Sequence, residues 1–166
     1  MSQNERAALH VSFRGDTTLL LAGNQMGKSA VVKSLYEAFG AQPHKVDDRW
    51  RRAAVATLLD ITIDGQSHRI VWTPASTAVF GPDDKLLIDS KDLSGLARFW
   101  ADRLGFGLIM NDAGGAPITP PAAYIFAPYY IDQDRSWTVT WSSFEGLSLP
   151  GARRTLAEYH LGIKSV

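Results

Sequence analysis

Three kinds of local sequence follow one another over residues 19–34. The apolar run Leu19-Leu20-Leu21 leads into the turn Ala22-Gly23-Asn24-Gln25-Met26-Gly27, and Lys28-Ser29-Ala30-Val31-Val32-Lys33-Ser34 then opens an amphipathic stretch. Strand, glycine turn and helix in that order are what a phosphate-binding loop demands. Its backbone N–H groups curl around an anion, a lysine reaches the outer phosphates, and a hydroxyl binds the magnesium ion that bridges them. The following helix points its positive end at the same charge. Gly27, Lys28 and Ser29 supply the turn glycine, the lysine and the hydroxyl. Ala22 stands where the G-x-x-x-x-G-K-[ST] pattern has its first glycine, with Gly23 one position later. One methyl group at a strand end is a small steric change. A nucleotide would therefore be held by Gly23, Asn24, Gln25, Met26, Gly27, Lys28, Ser29 and Ala30. The alternative is a turn with an incidental lysine.

The flanks support the loop. Residues 17–21 are expected as a buried strand, entered from a strand over 9–13 through a tight turn at Arg14-Gly15-Asp16. Residues 30–39 are expected as a helix whose apolar face carries Val31, Val32, Leu35, Ala38 and Phe39, closed by Gly40. After a polar connector over 42–52, the pattern changes to period two. Residues 54–63 and 68–72 flank the turn Asp64-Gly65-Gln66-Ser67 and predict an antiparallel hairpin. Residues 79–80 and 85–88 predict a second one. A helix over 93–104 opens at Ser90 and closes at Gly105, with Trp100 in the core. A Gly- and Pro-rich loop covers 111–121. The apolar run 122–131 is expected as a buried strand, irregular at Pro128. A short helix over 152–159 precedes His160, which is expected as a surface or packing residue.

A second chemically rich stretch runs from Tyr129 to Trp137. A phosphate-loop enzyme needs a group opposite the loop serine, to hold magnesium and orient attacking water. Gln133 at a strand end suits that task, since its amide adds no charge. Asp132 and Asp134 are expected to cap the turn, with metal ligation as the alternative. For Trp137 and Trp141, packing on the sheet is the expectation and stacking on a base the alternative.

The order strand, Ala-Gly-Asn-Gln-Met-Gly-Lys-Ser, helix ending Leu-Tyr-Glu-Ala-Phe-Gly, antiparallel hairpins, then Tyr-Tyr-Ile-Asp-Gln-Asp resembles the N-terminal lobe of an ABC-type ATPase head. More narrowly, it resembles the heads of SMC-like DNA-repair and chromosome-organising ATPases, over residues 9–163. Asn24 and Gly27-Lys28-Ser29 match that family's loop, Ala22 and Gln25 replace its usual glycines, and Gln133 matches its Q-loop glutamine by order and spacing. The resemblance implies an α/β P-loop NTPase fold, with an antiparallel β subdomain packed beside the P-loop strand-helix unit. It implies ATP and Mg2+ as cofactors, Lys28 and Gln133 in catalysis, and Ser29 and Gln133 on the metal. It also implies a C-terminal ATPase lobe, from the same or a partner chain, that carries the signature motif and Walker B pair and is joined through a coiled coil. A head-to-head dimer and DNA are its further partners. None of those C-terminal motifs is found in residues 1–166, so the chain is expected to be a single domain, a partial head inactive in hydrolysis alone.

Composition narrows this further. At 45% hydrophobic and 20% charged residues the chain is a globular one. Zero net charge gives no global attraction to nucleic acid or an acidic membrane, and zero cysteines exclude disulfides and thiolate sites. No apolar stretch approaches membrane-spanning length and no export signal opens the chain, so a cytoplasmic protein is expected. Two other functions stay open. One is a small P-loop phosphotransferase acting on a nucleoside or metabolite, which would need further βαβ units and a basic lid. The other is a non-catalytic interaction module whose altered loop has lost nucleotide.

Overall fold

The period-two stretch forms the sheet. In the computed structural model, which describes residues 1–2, 4–13 and 16–163, the chain runs through α1 (Lys28–Ala38) and α2 (Asp48–Arg52) into β1 (Thr57–Ile63) and β2 (Gln66–Trp72). These strands pair antiparallel, with Thr57 opposite Trp72 and Ile63 opposite Gln66. Asp64 and Gly65 between them both take positive φ, 49° and 75°, the hand that a two-residue hairpin turn needs to match strand twist. β3 (Thr77–Phe80) and β4 (Leu86–Ser90) extend the sheet in the order β1-β2-β3-β4, antiparallel throughout. Both expected hairpins are present. Leu59, Ile70, Val79 and Ile88 stand opposite one another across the four strands, and Ile70 and Val79 are fully buried. Helix α1 packs on this sheet through β1 and β2.

α1 starts two residues before the expected position and ends one residue before it. Gly40, at φ 79°, closes it by donating to the Glu37 carbonyl. Helix α3 (Leu93–Arg103) is opened by Asp92 rather than Ser90: the Asp92 carboxylate accepts from the Ser94 and Gly95 N–H groups. Ser90 instead accepts from the Asp92 N–H, one step earlier. An aspartate capping the first turn supplies both a lone pair and a charge suited to the helix dipole. Trp100 on α3 is completely buried and meets Phe39 at a ring-centroid distance of 4.8 Å. A small hairpin, β5 (Met110–Asn111) with β6 (Pro117–Ile118), stands apart from the main sheet.

Three expected strands do not form among the described residues. Residues 122–131 fold as α4 (Ala123–Phe126) followed by a 3₁₀ turn over Ala127–Tyr129. An unbroken apolar run has no period with which to distinguish strand from buried helix, and Pro128 sits in the first turn of the 3₁₀ segment, where no N–H is required of it. No β ladder is assigned over residues 9–13 or 17–21 among the described residues, and Leu19 and Leu21 are 76% and 83% exposed. The strand half of the expected strand-helix unit is therefore not built, because a strand exists only where a neighbour completes its hydrogen bonds. Arg14 and Gly15 of the expected turn lie outside the described residues. Helix α5 (Ala152–His160) closes the chain's described secondary structure. No helix among the described residues is long and apolar enough to cross a membrane.

Candidate functional site

The turn over residues 23–27 curls because Gln25 and Gly27, two residues apart, both take left-handed backbone angles, φ 62° and 81°. Glycine accepts that angle without strain, whereas Gln25 adopts it at a cost. A Cβ built on Gly27 would meet no heavy atom within 4 Å, so it is the backbone angle and not crowding that favours glycine there. Gly27 also starts α1 without any side-chain cap. The first intrahelical bond runs from the Val31 N–H to the Gly27 carbonyl at 3.0 Å. The earlier N–H groups of the first turn have no partner inside the helix, and those are the donors a phosphate would use.

The Lys28 side chain folds back over the mouth of this turn. Its Nζ donates to the carbonyls of Ala22 and Gly23, both at 2.7 Å. Gly23, Asn24, Gln25, Met26, Gly27 and Ser29 are exposed, and Ala30 is half-buried as the helix enters the fold. The lysine amine and the exposed Ser29 hydroxyl thus stand beside the N–H groups at the start of α1. No group of three or more His, Asp or Glu side chains gathers among the described residues.

The second stretch is a turn rather than a strand end. Asp132 is buried, and one of its carboxylate oxygens accepts from the Arg135 N–H, the Ser136 N–H and the Ser136 hydroxyl, each at 2.9 Å. This is the expected capping role. Burial pushes the Asp132 carboxyl up, but those hydrogen bonds outweigh it and hold it below the usual aspartate range. Ser143 donates to the Tyr130 carbonyl at 2.7 Å and meets Ser136, fastening the turn beneath. Burial, followed by the charge of Asp132, raises the Tyr130 phenol well above its ordinary value. Gln133, at the turn's crown, is exposed.

Asp134 departs from its expected capping role. Its two carboxylate oxygens pair with different lysines, one with Lys33 at 3.5 Å and the other with Lys45 at 3.2 Å. Lys33 lies four residues after Ser29 on α1, hence on the same helix face one turn on. The pair therefore sets the Gln133 turn against the helix that the loop begins. Sequence reading missed Lys33, though a lysine amid the buried stretch of an apolar helix was a visible signal. It also misplaced Trp137, which is 79% exposed instead of packed, while Trp141 is half-buried against the core. His160 is a packing residue, with its ring beside Phe106 and Tyr129.

Compared with known proteins, the chain is similar to the Lamassu protein LmuB of Bacillus cereus (strain VD014), with 28% identity over 162 residues. That likeness takes in 96% of this chain and 28% of the relative, so the chain spans less than a third of that protein's length. No family model matches the chain. No solved structure matches it either.

Proposed function

We propose that this chain is the nucleotide-binding N-terminal lobe of an SMC-like, ABC-type ATPase head with a P-loop NTPase fold, acting in the cytoplasm on DNA. Of the processes such heads serve, the likeness to a Lamassu protein favours defence against foreign DNA. The observation that carries the reading is the uncapped start of α1 beneath a curled loop, with the Lys28 amine at its rim. In this reading the loop's N–H groups and Lys28 hold the phosphates of ATP, and Lys28 offsets charge developing on the transferred phosphoryl group. Ser29 and Gln133 hold Mg2+. A C-terminal lobe, from the same or a partner chain in a head-to-head dimer, supplies the glutamate that activates water. The exposed Leu19 and Leu21 beside the loop agree with a neighbouring element that covers them in the complete head. The antiparallel sheet weighs against a phosphotransferase built from βαβ units.

Titration of the chain with ATP, with and without Mg2+, tests the reading. The expected result is weak, Mg2+-assisted binding that Lys28→Ala abolishes, with negligible phosphate release. Sustained phosphate release that Lys28→Ala abolishes would overturn the claim that hydrolysis needs a second lobe. Absence of binding by the unaltered chain would favour the non-catalytic module.

A further inference from the structure

We propose that Asp134 is a positioning residue, which through Lys33 and Lys45 locks the turn carrying Gln133 to α1 and so sets Gln133 relative to Ser29. The inference rests on the reading of Ser29 and Gln133 as the protein groups on Mg2+. Lys33 is the fixed end of the strut. Its side chain is only 10% exposed, and its amine donates to the carbonyls of His44 at 2.9 Å and Lys45 at 2.8 Å besides facing Asp134. An amine so enclosed needs a countercharge as well as dipoles, because burial of an unpaired charge is costly. Asp134 provides it. The carboxylate is itself 34% exposed and engages Lys45, whose side chain is 70% exposed, with its other oxygen.

Two constraints then bracket Gln133. On one side Asp132 closes the turn internally, through bonds to Arg135 and Ser136. On the other, Asp134 ties the turn outward to α1. Ser29 and Lys33 stand about 6 Å apart along that helix, so an anchor at Lys33 fixes the turn against the same rigid element that presents the metal hydroxyl. An exposed ion pair does little for stability, but this one has a buried lysine and a defined geometric output. Partners that orient a metal-binding group change metal affinity by about 10–100-fold when removed.

The test compares affinity for a fluorescent ATP analogue in Mg2+ with that in EDTA, so that the readout is the ratio of the two Kd values. Asp134→Asn is expected to lower this Mg2+ advantage on the order of 10-fold, while the Kd in EDTA stays within about twofold. Gln133→Ala should lower it similarly, and the double variant should fall no further than Gln133→Ala alone, since Asp134 acts through Gln133. Asp134→Glu, which keeps the carboxylate, should retain most of the advantage. An undiminished ratio in a folded Asp134→Asn chain overturns the proposal, as does an additional loss in the double variant. If Asp134→Asn does not fold by circular dichroism, Lys45→Met removes one arm of the bridge without touching the buried amine. A smaller loss there supports the strut, and no loss overturns it. An unaltered chain without a Mg2+ advantage, or a Gln133→Ala chain that keeps it, refutes the underlying magnesium reading; loss with Gln133→Ala but not with Asp134→Asn refutes the strut alone.

Discussion

Replacing Asp132 by alanine removes the acceptor of three hydrogen bonds, from the Arg135 N–H, the Ser136 N–H and the Ser136 hydroxyl. Hydrogen bonds to a charged group contribute roughly 1.5–3 kcal/mol each, so a simple sum overshoots. The exposed Arg135 can regain a bond from water, and the Ser136 hydroxyl keeps Ser143 as a partner. What remains is the Ser136 N–H, left without an acceptor in a half-buried turn, together with the loss of closure. The expected cost of Asp132→Ala is therefore about 2–4 kcal/mol, a large part of the roughly 5–15 kcal/mol that holds a domain folded. Asp132→Asn keeps an acceptor oxygen and should cost about half as much.

Urea unfolding followed by circular dichroism measures both variants, and acidification adds a second, independent check. Because the folded-state pKa of Asp132 is depressed, its contribution is fully present above the unfolded aspartate value of about 3.9 and is lost as pH falls through the lower folded value. The stability gap between the unaltered chain and Asp132→Ala should thus be constant near neutrality and shrink below about pH 4. A cost under about 0.5 kcal/mol, or a gap that acid leaves unchanged, would refute the argument that this carboxylate holds the turn.

Two further perturbations probe the frame around the site. His68 is buried, and its Nε2 accepts from the Arg103 Nε and Nη2 at 3.1 and 2.7 Å, while Nδ1 donates to the Gln66 carbonyl at 2.9 Å. Arg103→Met should leave that Nε2 without a donor and cost about 1–3 kcal/mol by urea unfolding; a neutral result would mean that water replaces the guanidinium. Gly40 and Gly65 both have positive φ, but a Cβ on Gly40 would stand 3.4 Å from Leu96 Cδ1, an ordinary contact, and one on Gly65 would meet nothing within 4 Å. Gly40→Ala and Gly65→Ala should therefore cost the same, about 1–2 kcal/mol of backbone strain. A much larger loss at Gly40 would show that α1 and α3 approach too closely there for any side chain.

The parts of this fold that were legible in the sequence are those whose formation is decided locally. The β1–β2 hairpin announces itself because alternation and an Asp-Gly turn act within a dozen or so residues, and α1 and α3 do so because a period and a terminal glycine suffice. Residues 122–131 and 17–21 were misread for opposite reasons. The first run is apolar at nearly every position and so carries no period, while the second is a strand only in the presence of a neighbour that the sheet of residues 57–90 does not offer it. At the site, Asp132 was legible because an aspartate in a turn bonds to nearby backbone. Asp134 was not, because its partners Lys33 and Lys45 lie 101 and 89 residues away in sequence. The same division runs through the loop itself. Its helix side, Gly27 to Ser29, is set by one left-handed glycine and the first turn of α1, both local features. Its strand side, Leu19 to Ala22, lies outside any ladder and is exposed except for the half-buried Leu20. Lys28 spans the division, rooted in the helix and bonded to carbonyls at the strand end. In the proposed head, an element covering Leu19 and Leu21 would fix those two carbonyls, and with them the position from which the Lys28 amine would turn toward a phosphate.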